Sequence, residues 1–208
     1  MGDQLILFTR YPEPGRVKTR LIPVLGERGA ADLHKKLTET CLGCLGEICK
    51  DTDIGITVFF SGGNRRQMHR WLPGIPMVHQ EGADLGERMI AAFSYVRALG
   101  GKHILLVGSD CPELSPAIIR QGFQYLFAHD LVLGPAHDGG YYLVGISADF
   151  APEFLGQLMI DMEWGTGDVL SMTLARIRSA GYSHALLPWL HDIDRSEDLE
   201  YFEIVHQE

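Results

Sequence analysis

The chain has 208 residues and a mass of 23.1 kDa, a length that suits one α/β domain over residues 1–208 rather than a string of modules. Its formal charge of −9 at neutral pH excludes a broad electrostatic hold on nucleic acid or an anionic membrane, yet leaves room for a local basic cluster around a phosphate. No apolar run approaches the roughly 18 residues that span a bilayer, and the opening Met1-Gly-Asp-Gln has no leader pattern, so a soluble cytoplasmic protein is expected.

Short apolar runs alternate with amphipathic stretches along the chain. Residues 4–9 (QLILFT) read as a strand, followed by a long polar loop and a helix over about 29–49. Residues 54–60 (IGITVFF) read as a second strand, ended by Ser61-Gly62-Gly63 and a short helix toward Trp71; residues 76–80 make a short third strand. Over 84–99, Leu85, Met89, Ala92, Phe93 and Val96 share one helical face, which Gly100-Gly101 stops. Residues 103–107 (HILLV) are continuously apolar, as in a strand buried on both faces. Ser115-Pro116 opens a helix to about Phe127 as cap and first-turn proline. Residues 130–133 and 141–146 are strands, 167–180 a helix ended by Gly181, 184–187 the last strand, and 196–205 a closing helix. This alternation predicts a three-layer, doubly wound, mainly parallel sheet of about seven strands with helices on both faces. Such sheets bind ligands in the crevice at the carboxyl ends of their strands.

Cys41-Leu-Gly-Cys44 has the spacing of half a zinc site, but Leu33, Leu37, Cys41, Cys44, Leu45 and Ile48 recur at helical spacing, so these cysteines read as core. The unusual polar segments instead follow strands. The loop after the first strand gathers Arg10, Arg16, Lys18 and Arg20 around Pro14-Gly15, against the sign of the whole chain. Arginine forks and a lysine point charge suit phosphate oxygens, and glycine lets backbone N–H groups approach an anion. The spacing is not that of a Walker loop. Asp110 follows the central apolar strand, where a carboxylate would face the crevice as a Mg²⁺ ligand; a turn-forming Asp before Cys111-Pro112 is the plainer alternative.

His137-Asp138-Gly139-Gly140 joins two strands. Asp138 would accept a ligand hydroxyl or reach the metal, and the glycines would lie against a flat ring, unless the segment is simply an Asp-Gly hairpin turn. Asp192 and Asp194 fall on one side of an extended segment after the last strand, and Asp194 with Glu197 also has capping-box spacing. Asp84 and Arg88 open one helix, and Trp164-Gly-Thr166 precedes another; these residues would line the same crevice or serve as cap and core. The sequence has neither the His-Glu-x-x-His pattern of a zinc hydrolase nor a dinucleotide Gly-x-Gly-x-x-Gly after the first strand. Metal-assisted transfer on a nucleotide is the chemistry these segments favour.

In chain order, Phe8-Thr-Arg-Tyr-Pro-Glu-Pro-Gly-Arg-Val-Lys-Thr-Arg-Leu21, Asp84-Leu-Gly-Glu-Arg-Met89, Gly108-Ser-Asp-Cys-Pro112, Gly134-Pro-Ala-His-Asp-Gly-Gly-Tyr-Tyr-Leu143 and Asp192-Ile-Asp194 with Asp198-Leu199 resemble the bacterial radical-SAM/selenodomain-associated transferase family. That family lies in the nucleotide-diphospho-sugar transferase (glycosyltransferase-A-like) superfamily, with molybdenum-cofactor and phospholactate guanylyltransferases as more distant relatives. The resemblance implies that fold, a triphosphate held by Lys18 and Arg20, and Mg²⁺ or Mn²⁺ on Asp110 and Asp194. The Phe8-Thr-Arg-Tyr start differs from the Leu-Ala-Gly-Gly of many such nucleotidyltransferases.

The expectation is nucleotidyl transfer from a nucleoside triphosphate to a small phosphorylated or phosphonate acceptor. Lys18, Arg20 and Asp110 would be its catalytic groups, and Arg10, Pro14, Gly15, Arg16, Asp84, Arg88, Asp138, Gly139, Gly140, Trp164 and Thr166 would bind the nucleotide or acceptor. Glycosyl transfer from a nucleotide-sugar, with Asp138 or His137 as base, and a non-catalytic nucleotide-binding module are the alternatives.

Overall fold

The structure is a computed structural model that describes residues 2–201. Among the described residues, seven strands, β1 (Gln4–Arg10), β2 (Gly55–Ser61), β3 (Met77–His79), β4 (Ile104–Gly108), β5 (Leu131–Pro135), β6 (Tyr141–Ile146) and β7 (His184–Leu186), form one sheet. Their order is β3-β2-β1-β4-β6-β5-β7. All run in one direction except β6, which is antiparallel to both β4 and β5. The five residues from Ala136 to Gly140 are too few for the crossover that a parallel partner requires, so β5 and β6 pair as a hairpin.

β1 has apolar side chains on both faces, as a central strand of a three-layer fold must. Leu5 and Leu7 point into one core with α1 (Ile22–Lys50), α2 (Arg65–Trp71) and α4 (Pro116–Leu126). Ile6 and Phe8 point into the other, with α3 (Leu85–Ala98), α5 (Leu155–Met159) and α6 (Val169–Ser179). Strand periodicity of two and helical stripes of 3.6 thereby close two hydrophobic layers around one sheet. The cysteine-bearing face of α1 belongs to the first core: Cys41, Leu45 and Ile48 are buried.

The sequence reading holds for every strand and for the long helices. It missed α5, whose five residues are too few to establish a period, and it began α1 too late. Pro23 sits in the first turn of α1 and Gly26, at φ 70°, interrupts the helix before its long regular stretch. Of the closing helix expected over 196–205, the described part is a 3-10 turn at Ser196–Asp198 running on to Tyr201; the rest lies outside the described residues.

The second core centres on Phe93, which is fully buried. Phe93→Ala should destabilise the protein by about 3–5 kcal/mol through lost burial and an unfilled cavity, measured by urea unfolding. A loss under about 1 kcal/mol would mean that α3 does not pack on the sheet as described.

Candidate functional site

The strand ends that point the same way carry four connecting segments: the β1 loop, Ser109–Ser115 after β4, the β5–β6 turn, and Leu187–Arg195 after β7. Three of them, the β1 loop and the segments after β4 and β7, meet around one side chain. In the β1 loop, Arg16 N–H bonds Glu13 O at 3.0 Å, Gly15 turns at φ 77°, and buried Val17 and Leu21 anchor the loop against the core. Between these anchors Lys18 adopts a left-handed backbone, φ 46°, which is costly for a residue with a Cβ and is a feature of functional sites. Its side chain is only 3% exposed. The ammonium bonds Asp110 Oδ2 at 3.0 Å, lies 3.9 Å from Asp194 Oδ1, and donates to the backbone carbonyl of Ile193.

Asp110 follows β4 and is locked in place from the opposite end of the chain, since Ile193 N–H donates to its backbone carbonyl at 3.0 Å. Burial alone would raise its carboxyl pKa. The charge of Lys18, then that of His34, with hydrogen bonds from Lys18 and Ser109, outweigh burial and hold the pKa below the ordinary carboxylate value. His34 is a residue the sequence reading did not single out. It is buried on α1, with Nε2 2.9 Å from the carbonyl of Arg10 and Nδ1 3.8 Å from Asp110 Oδ1. Thr9 Oγ1 lies 2.9 Å from Thr38 Oγ1 and 3.4 Å from the same histidine. The available signal was His34 and Thr38, two polar residues four apart inside an otherwise apolar stripe.

Asp194 does not act as a cap. The carboxylate of Asp198, not Glu197, accepts from Asp194 N–H at 3.0 Å and from Arg195 N–H at 2.7 Å. That leaves the Asp194 side chain to pair with Lys18 and Arg20. Arg10, Arg16, Lys18 and Arg20 line one cleft together with Asp110 and Asp194. Pro14 and Gly15 lie outside that cleft and shape the turn behind it.

The β5–β6 turn is an Asp-Gly hairpin and also part of the site. Asp138 Oδ1 accepts from Gly140 N–H at 2.8 Å, and its side chain borders two hollows beside the cationic cleft. Gly139, at φ 90°, packs on backbone rather than on a ligand: a Cβ there would stand 2.1 Å from Gly167 O. Leu170 N–H donates to Gly139 O at 2.9 Å, so the turn is joined to the first turn of α6, directly after the loop carrying Trp164 and Thr166. Gly140, Trp164 and Thr166 line a cavity with Asp110, Asp138 and Asp192. Asp84 and Arg88 are not brought in. Asp84 caps α3 by accepting from Glu87 N–H at 2.8 Å, and Arg88 Nε donates to Gly82 O at 3.1 Å.

Hard divalent cations such as Mg²⁺ take one or two carboxylates and complete their shell with phosphate and water oxygens. Asp110 and Asp194, converging on a single ammonium, fit that requirement. Among the described residues no group of three or more His, Cys, Asp or Glu is placed to hold a metal ion.

A family model described as "Uncharacterized protein conserved in bacteria (DUF2064)" matches residues 44–166. A provisionally assigned nucleotide-diphospho-sugar transferase from Desulfovibrio desulfuricans G20 is 33% identical, with TM-score 0.87 over 97% of this chain and 87% of that one. The inositol-1-phosphate CTP transferase from T. maritima shares the fold at 13% identity, TM-score 0.60, over 98% and 95% of the two chains. Rv0371c from Mycobacterium tuberculosis H37Rv, in complex with manganese, does so at 15% identity, TM-score 0.57, over 100% and 99%. No curated protein matches the chain. Among the described residues no helix is long and apolar enough to cross a membrane.

Gly139→Ala should cost about 2 kcal/mol or more by forcing the hairpin off the Gly167 backbone; unchanged stability in urea would refute that contact. Burial first, then the neighbouring Asp138 charge, raises Asp192 from 3.8 to about 6. Its folded pKa therefore lies above its unfolded one, and stability falls as pH rises through that window. Asp192→Asn should remove the fall and add about 1 kcal/mol at pH 8, after allowance for partial exposure, with little change near pH 4. Parallel pH profiles for the two proteins would count against this assignment.

Proposed function

The chain belongs to the DUF2064 family of bacterial proteins, and from that membership and the site we propose that it is a metal-assisted nucleotidyltransferase working as a single domain. The carrying observation is the convergence of Arg10, Arg16, Lys18 and Arg20 with Asp110 and Asp194 on one cleft. Four cations within eleven residues of a chain of charge −9 match the charge of a nucleoside triphosphate better than that of a sugar or a neutral metabolite.

In this reading the arginines and Lys18 bind and orient the triphosphate. An anionic phosphate or phosphonate oxygen of the acceptor, with no proton to lose, forms a bond to the α-phosphorus as the α–β bridging P–O bond breaks and pyrophosphate leaves; positioning and charge neutralisation supply most of the acceleration. Asp110 and Asp194 would hold Mg²⁺ or Mn²⁺, which supplies neutralising charge at the phosphates. The CTP transferase and the manganese complex among the fold relatives support this reading, as do the motifs that resemble the radical-SAM/selenodomain-associated transferases. A second reading, glycosyl transfer from a nucleotide-sugar, is favoured by the description of the 33% identical relative.

Thermal unfolding with each nucleoside triphosphate and with nucleotide-sugars, with and without Mg²⁺, separates the two. A Mg²⁺-dependent gain of about 2.7 kcal/mol from one triphosphate at a hundredfold excess over its Kd is expected. Asp110→Ala should lose the metal-dependent part and all turnover. A gain from nucleotide-sugars alone would favour glycosyl transfer, and no gain from any nucleotide would overturn both.

A further inference from the structure

Beside the cationic cleft, and joined to it at Asp110, lies a cavity of about 280 Å³, roughly nine waters at ~30 Å³ each. Its floor and walls are apolar: Phe8, Leu85, Met89, Trp164 and Val169. Tyr141 and Trp164 meet edge to face, ring centres 6.3 Å apart, and form an aromatic corner. Three carboxylates, Asp110, Asp138 and Asp192, stand along it, and among the described residues no Lys, Arg or His lines it. The cations lie in the neighbouring cleft.

We propose that this cavity seats the acceptor of the transfer reaction, and that the acceptor has an apolar, ring-sized, uncharged body with its reacting oxygen at the Asp110 end. The inference rests on the nucleotidyltransferase reading and names its second substrate class. An anionic body would face Asp138 and Asp192 with no cation lining the cavity, since Lys18 answers Asp110 from the neighbouring cleft. Asp110, Asp138 and Asp192 would accept from hydroxyls on one side of a sugar body, but those turned to Phe8, Met89 and Val169 lose water and gain no partner. A nucleobase would find acceptors for its N–H groups there and would set its carbonyl and ring-nitrogen acceptors against carboxylates and apolar carbon. A carbocyclic ring instead matches the floor and finds offset or edge-on contacts at Tyr141 and Trp164.

Four probes cross body with head group: benzyl alcohol, benzyl phosphate, D-glucose and glucose 1-phosphate. Saturation-transfer NMR on the full chain should give ring-proton signals from both benzyl compounds and none from either glucose compound. Val169→Trp fills the cavity from α6 and should weaken the benzyl compounds at least tenfold while the Mg²⁺-dependent triphosphate stabilisation persists. Leu85→Trp, at a position 41% exposed, repeats the test with less demand on folding. Binding by the glucose pair, or by no probe, would overturn the proposal and leave nucleotide binding to stand on its own measurement. Loss of triphosphate stabilisation together with the benzyl signal, in a folded variant, would assign the cavity to the nucleobase and overturn the proposal equally.

Discussion

A lysine ammonium almost removed from water must be surrounded by negative charge or carbonyl oxygen, and the three groups that meet this need at Lys18 come from distant parts of the chain. Asp110 arrives on the segment after β4, and Ile193 and Asp194 on the segment after β7. The backbone bond from Ile193 to Asp110 closes the same circle without side chains. Removing the ammonium would leave Asp110 and Asp194 without their shared partner. The left-handed backbone at Lys18 is sustained because its surroundings fix both loop and side chain.

Much of this was legible in the amino-acid order. Alternating apolar runs give the strands, and the rule that ligands sit at strand carboxyl ends places the basic loop, Asp110 and Asp194 at one crevice. Segments of opposite charge on different loops are sequence features; the buried position of Lys18 between them is not, because burial depends on segments 175 residues apart. His34 and Thr38 show on a helical wheel as a polar pair inside an apolar face, and only the packing of α1 against β1 brings His34 to Asp110.

The residues whose roles differ share a cause. Asp84, Arg88 and Gly139 stand in motifs that resemble those of transferases, yet their immediate partners are backbone groups: Glu87 N–H, Gly82 O and the Gly167 backbone. A short motif reports that a residue type is needed without saying whether a ligand or the chain itself needs it. Asp138 does both, holding Gly140 N–H with one oxygen while its side chain borders the cavity. Asp194 shows the reverse: Asp198 takes over the capping, and so frees it for charge pairing.

The partner of Lys18 at Ile193 lies close to the end of the described chain. A ribosome delivers β1, α1 and the basic loop long before it delivers that partner, so during synthesis the four cations stand with their carboxylates incomplete. The cleft is therefore completed only after the sheet's first strands have been made, by a strap that threads past Pro135, His137 and Asp110 through backbone bonds. A chain stopped before the strap would carry most of the sheet, with Lys18 paired to Asp110 and without the carbonyl of Ile193 and the carboxylate of Asp194.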